Sequence, residues 1–133
     1  MLQGDFFHIM TLETGDNTLK TASTTITAML EITAMLEINP AHPIFGGHFP
    51  GQPVVPGVCM MQMVKEITEN VLGRETRLAK ADQLKFLALL IPAETRQLRM
   101  DLKVNTLDNG ETSVEAQLLN DTTLFFKFKG SFA

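Results

Sequence analysis

His48 stands in a loop rich in glycine and proline, and Gln62 and Glu66 follow it on a stretch with helical character. An imidazole suits proton abstraction near neutral pH because its unperturbed pKa is about 6.5. Catalytic pairs are often built with such a base on a loop and an acid one turn inside the next helix. Gln62 departs from that plan. A carboxamide hydrogen-bonds a hydroxyl or a water but does not donate a proton as an acid. Glu66 lies one turn further on and about 40° round the axis. Helical side chains lean toward the N-terminus, so its carboxyl either reaches back over Gln62 or stands in solvent beside Lys65 or Arg74. His42 reads as a surface loop residue and His8 as a strand or terminal residue.

Two elements must hold these side chains. The loop, "NPAHPIFGGHFPGQPVVP" over 39–56, carries five of the six prolines of the chain. Such a stretch has little conformational freedom to lose and fixes side-chain directions. The helix, "GVCMMQMVKEITENVL" over 57–72, ends at Gly73, a C-terminal cap. At 100° per residue, Met60, Met63, Val64, Ile67 and Val71 share one face, and Gln62, Lys65, Glu66 and Glu69 the opposite one. The Met stripe reads as core filling. The first N–H groups of a helix have no internal partner, and its N-terminus carries partial positive charge.

The remaining segments read as strands. A tandem hexapeptide, "TAMLEI", occupies 27–32 and again 33–38. Its even positions, Ala28 to Ile38, are apolar and its odd positions mostly polar, which is the period of a strand with the even face inward. Six is even, so the duplication lengthens a strand, or adds a hairpin arm, without exchanging its faces. A strand-like run covers 76–91 and ends at Pro92. "RQLRMDLKVNT" alternates, "LDNG" at 107–110 is a hairpin signal, and "ETSVEAQLL" and "TLFFKFKGSF" follow. The order of strands, one helix and an antiparallel meander predicts an α+β domain, one helix covered by one sheet.

Composition narrows the function. With 133 residues, 44% of them hydrophobic and 20% charged, the chain reads as a single domain over 1–133 with a real core. No apolar run of membrane-spanning length occurs, and the N-terminus lacks a basic leader, so a cytoplasmic location is expected. The lone Cys59 rules out a disulfide framework and a cysteine-cluster metal site. A net charge of −4 speaks against general nucleic-acid binding. The two basic and seven acidic residues of 1–73 contrast with nine and eight in 74–133. Arg96, Arg99, Lys80 and Lys85 of the second half are candidate contacts for an acidic partner.

"GHFPGQPVVPGV", Gly47 to Val58, resembles the signature of the 3-hydroxyacyl-acyl-carrier-protein dehydratases of the hot-dog superfamily. The shared elements are the His-Phe-Pro, the second proline pair and the Pro-Gly-Val entering the helix. The resemblance is dense from Asn39 to Gln62. It implies the hot-dog fold, a curled antiparallel sheet wrapped around one central helix at about 57–72. It further implies a homodimer or higher homo-oligomer with active sites at the subunit interface. The substrate would be a (3R)-3-hydroxyacyl chain on a carrier protein or coenzyme A, handled without metal or cofactor. On this resemblance His48 is the base that takes the α-carbon proton. Gly57, with Val58 beside it, offers backbone N–H groups to the thioester carbonyl, and Phe49 contacts substrate. The family places Glu or Asp where this chain has Gln62, and losing a general acid typically costs about 10²–10⁴-fold in rate. Three routes follow: Glu66 replaces the acid, His48 acts alone while Gln62 holds the hydroxyl, or the protein binds acyl thioesters without dehydrating them. A partner subunit with its own acid could complete a mixed site. The enzymatic alternative is a hot-dog thioesterase, with Gln62 orienting water for His48.

Overall fold

The computed structural model describes residues 2–16, 26–47 and 54–133. Both copies of the hexapeptide fall in one uninterrupted strand, β2 (Ile26–Ile38). Ile32, Ala34, Leu36 and Ile38 are buried, as the period of two requires. Ala, Met, Leu and Glu favour helix in isolation. Here tertiary pairing decides, because β2 has a neighbour on each side: β1 (Phe7–Asp16) and β4 (Gln97–Leu107). A strand hydrogen-bonded along both edges satisfies its backbone while its apolar face packs inward.

The hairpin signal is a hairpin. Leu107 donates its N–H to the Glu111 carbonyl at 2.9 Å, and Gly110 takes the turn's positive φ of 87°. The chain then returns as β5 (Thr112–Leu119) and β6 (Leu124–Phe132). β3 (Leu78–Phe86) lies at the far edge, so the antiparallel sheet runs β1-β2-β4-β5-β6-β3. The strand-like run expected over 76–91 stops at Phe86. Beyond it the chain leaves the sheet: Leu90 is buried in the core, and the Leu90 carbonyl accepts the Val55 N–H at 2.8 Å.

A short helical turn, α1 (Ile44–Gly47), precedes the long helix α2 (Gly57–Leu72). Met60, Met63, Val64 and Ile67 are buried against Leu36, Leu98, Met100, Phe126 and other inward residues of the sheet. Gly73 ends the helix in the left-handed conformation, φ 70°, and returns its N–H to the Glu69 carbonyl at 2.9 Å. The expected polar face is narrower than the helical wheel suggests. Glu66 and Thr68 are buried too, Glu66 with its carboxylate on the backbone of Leu2 and Gln3, before the first strand. The fold is the hot-dog arrangement, one long helix held by a curled six-stranded antiparallel sheet. Among the described residues, no helix is long and apolar enough to cross a membrane.

Candidate active site

The entry to α2 is held on both sides of its first turn. Val54 and Val55 are buried, and the Val55 bond to Leu90 fixes the approach of the chain. Pro56 is the N-cap, extended at φ −62° and ψ 145°, and its side chain offers no cap. Its carbonyl accepts the N–H groups of Cys59 and Met60 at 3.0 and 3.3 Å. The N–H groups of Gly57 and Val58 have no acceptor among the described residues. Val58 is 75% exposed, so only its backbone is held by the fold.

Gly57 is also where an aromatic ring comes close. A Cβ built on Gly57 would stand 2.7 Å from both Cε1 and Cζ of Phe86. That ring stacks on Phe126, with centroids 5.1 Å apart and planes inclined by 24°. The first turn of α2 is therefore walled on one side by Phe86, and glycine lets the ring come that close. Sequence reasoning missed Phe86. Its signal is faint: an aromatic residue at the end of a strand whose other residues are largely exposed.

Gln62 lies about 7.5 Å further along the axis. It is half-buried, and its carboxamide has no hydrogen-bond partner among the described residues. Glu66, one turn on, behaves differently. Both its oxygens accept the Leu2 N–H, at 2.9 and 2.8 Å, and Oε1 accepts the Gln3 N–H at 2.8 Å. Its carboxylate is thus turned onto the N-terminal turn. The solvent-side pairing with Lys65 or Arg74 does not form, since Lys65 bonds Glu69 at 3.3 Å and Arg74 donates to Thr112 and the Glu75 carbonyl.

Two further titratable groups sit on the helix. Burial pushes the Cys59 thiol above its ordinary value, so it stays protonated and is a poor nucleophile at neutral pH. Partial burial pushes the Glu69 carboxyl up, but the Thr76 N–H at 2.6 Å, the Lys65 ammonium and the Thr76 hydroxyl outweigh it. The net result holds Glu69 below the usual carboxylate range.

His48 and Phe49 lie outside the described residues. His42 is more firmly placed than a surface residue: it is half-buried, its Nδ1 accepts the Ile44 N–H at 3.1 Å, and its ring meets Phe6 edge-on. Of the candidate carrier contacts, Arg96 pairs with Glu37, Arg99 with Asp101 and Lys80 with Asp82, all on the exposed surface. Among the described residues, no three His, Cys, Asp or Glu side chains gather as a metal site. What the site offers is two backbone donors at the positive end of a helix, suited to an oxygen on which negative charge develops. A carboxamide one turn away is suited to a hydroxyl.

Comparison with known proteins bears on the family and the fold. Curated 3-hydroxyacyl-[acyl-carrier-protein] dehydratases FabZ are similar over part of their length. The protein of Syntrophomonas wolfei is 35% identical over 60 residues, covering 40% of this chain and 42% of that protein. The protein of Clostridium acetobutylicum is 26% identical over 92 residues, covering 56% and 65%. The chain thus matches about half the length of these relatives. Among solved structures, the dehydratase heterocomplex ApeI:P of Xenorhabdus doucetiae shares the fold, with a TM-score of 0.61 at 20% identity over 95% of this chain and 96% of that one. An uncharacterized protein of Erwinia carotovora subsp. atroseptica does so at a TM-score of 0.63, with 20% identity over 93% and 91%. The ApeI-like family model, described as ApeI dehydratase, matches residues 23–122, most of the chain, and the chain belongs to that dehydratase family.

Proposed function

We propose that this chain dehydrates (3R)-3-hydroxyacyl thioesters carried on an acyl carrier protein, with His48 as base and Gln62 in place of an acid. The observation that carries the reading is the first turn of α2. Among the described residues, the Gly57 and Val58 N–H groups there have no acceptor, and the Gln62 carboxamide on the next turn has no partner. The thioester carbonyl accepts the Gly57 N–H, with Val58 in support. His48 takes a proton from the α-carbon, and the released electron pair moves toward the carbonyl oxygen at the positive helix end. That pair then forms the α,β double bond as the β-hydroxyl departs. The imidazolium returns its proton to the hydroxyl, so water and a 2-enoyl thioester leave and the imidazole is regenerated. Gln62 holds the hydroxyl by hydrogen bonds and donates no proton. We assign no acid role to Glu66, because the Leu2 and Gln3 N–H groups already occupy its oxygens.

We further propose that two copies associate through the free edge of β3. Leu84, Phe86, Leu87 and Leu89 are exposed along and just beyond that edge, a surface that favours burial. A mixed dimer is the second reading. It is favoured by the missing acid at Gln62 and by the fold's likeness to a dehydratase heterocomplex, and a partner's acid would then raise the rate.

The test incubates the protein with 3-hydroxyacyl carrier-protein thioesters of several lengths, measuring 2-enoyl product and free acid separately. Enoyl product, lost in His48→Ala by about 10²–10⁴-fold, is expected. Free acid without enoyl product would establish a thioesterase. Neither product at any length would leave a binding subunit.

A further inference from the structure

A carboxylate buried in the middle of a helix is costly unless its oxygens are bonded. Glu66 is 4% exposed, and it meets that cost with three hydrogen bonds from two adjacent backbone N–H groups, those of Leu2 and Gln3. The same segment is tied onward. Phe6 closes a turn by donating its N–H to the Leu2 carbonyl at 2.8 Å, and its side chain is fully buried. Its ring lies 5.5 Å from that of Phe45 and meets His42 edge-on at 5.4 Å. Its carbonyl accepts the Asn39 N–H at 2.8 Å, and Asn39 Nδ2 donates to the Asp5 carbonyl at 3.0 Å. One path of contacts therefore runs from the central helix through the N-terminal turn into 39–47. In sequence, His48 follows Phe45 by three residues.

We infer that Glu66 is a positioning residue. It anchors the N-terminal turn on α2, and through Phe6 that turn sets the segment from which the chain runs into His48. The catalytic consequence rests on the dehydratase reading, while the anchoring itself does not. The chemistry explains why a carboxylate is used. Two oxygens accept from two adjacent N–H groups, whereas a glutamine presents one acceptor and one donor, and its NH₂ would face a backbone N–H.

Two variants test this in the full chain, Glu66→Gln and Phe6→Leu. Backbone hydrogen exchange, followed by mass spectrometry, should quicken over 39–47 by about tenfold or more in both, while strands β4 and β5 keep their protection. Turnover should fall about 10–100-fold with KM nearly unchanged and with both limbs of the pH profile retained. The double variant should lose little more than either alone, as members of one path do. Unchanged exchange over 39–47 overturns the inference. So do additive losses, or a pH limb that vanishes in Glu66→Gln alone, which would make Glu66 an acid. If the wild type dehydrates nothing, the dehydratase reading fails by itself, and the exchange measurement still decides the anchoring. If Glu66→Gln does not fold, Phe6→Leu carries the same measurement.

Discussion

Two parts of one helix treat their polar groups in opposite ways. In the opening turns of α2, the N–H groups of Gly57 and Val58 and the carboxamide of Gln62 are left without partners among the described residues. One to two turns later, the carboxylates of Glu66 and Glu69 are both hydrogen-bonded. Glu66 accepts from Leu2 and Gln3, and Glu69 from Thr76 and Lys65. Buried polar groups are normally satisfied, so the second part follows the rule for structure. The first lies at a less buried point walled by an aromatic ring, where N–H donors at a positive helix end suit an incoming oxygen. The lesson is that residue type alone misleads here. The two carboxylates are bonded within the fold, while the glycine and the amide are the groups that the proposed reaction uses.

The sharpest way to break this comparison is at Gly57. Gly57→Val drives a branched side chain into the Phe86 ring, which must swing off Phe126. The clash is with the far end of the Phe86 side chain and not with backbone, so the fold should survive. Turnover of a 3-hydroxyacyl thioester should drop about 100-fold, as a displaced oxyanion donor does. A fully active, folded variant would remove the first turn of α2 from the reaction. The next largest effect is expected at Gln62. Gln62→Leu keeps the bulk and deletes the hydrogen bonds to the hydroxyl, which should lower turnover by about tenfold. Unchanged turnover would show that the amide holds nothing.

Much of this was legible in the sequence, and unevenly so. The helix bounds, its glycine stop and the Met stripe follow from the 3.6-residue period and capping chemistry. The duplicated hexapeptide could be read as a strand because its alternation survives a six-residue insertion, although its residues favour helix. Glu66 was misjudged because a helical wheel knows only one buried face. The partners that make its burial affordable lie 63 and 64 residues away. Phe86 was invisible as a neighbour of Gly57 for the same reason: the strand that carries it returns to the helix start only through the sheet. Long-range partners decide which polar groups are saturated, and periodicity does not report them.

The saturated part of the helix can be probed by pH. Glu69 is held below the ordinary carboxylate value of 4.5, with burial opposing and the Thr76 and Lys65 contacts prevailing. A depressed folded-state pKa means that the charged form is preferred by the native protein. Its stabilisation is therefore complete above the ordinary value and lost as pH falls through the lower, folded one. Glu69→Gln should destabilise the protein by about 1–2 kcal/mol at pH 7, read from denaturant midpoints. The gap between variant and wild type should close as the medium is acidified below that window. A gap independent of pH would assign the effect to shape rather than charge.

The smallest effect is expected at Val58, and it tests the open part from the other side. Its side chain is 75% exposed and outside the core, while its N–H is one of the two donors without an acceptor among the described residues. If only the backbone serves the thioester, Val58→Ser keeps the donor and removes nothing that substrate or fold uses. Turnover should stay within about twofold, and stability within about 0.5 kcal/mol, the range of ordinary surface substitutions. A tenfold loss of kcat/KM with stability intact would instead place the isopropyl group against the acyl chain. The opening turn of α2 would then be a surface that reads substrate shape as well as a pair of donors.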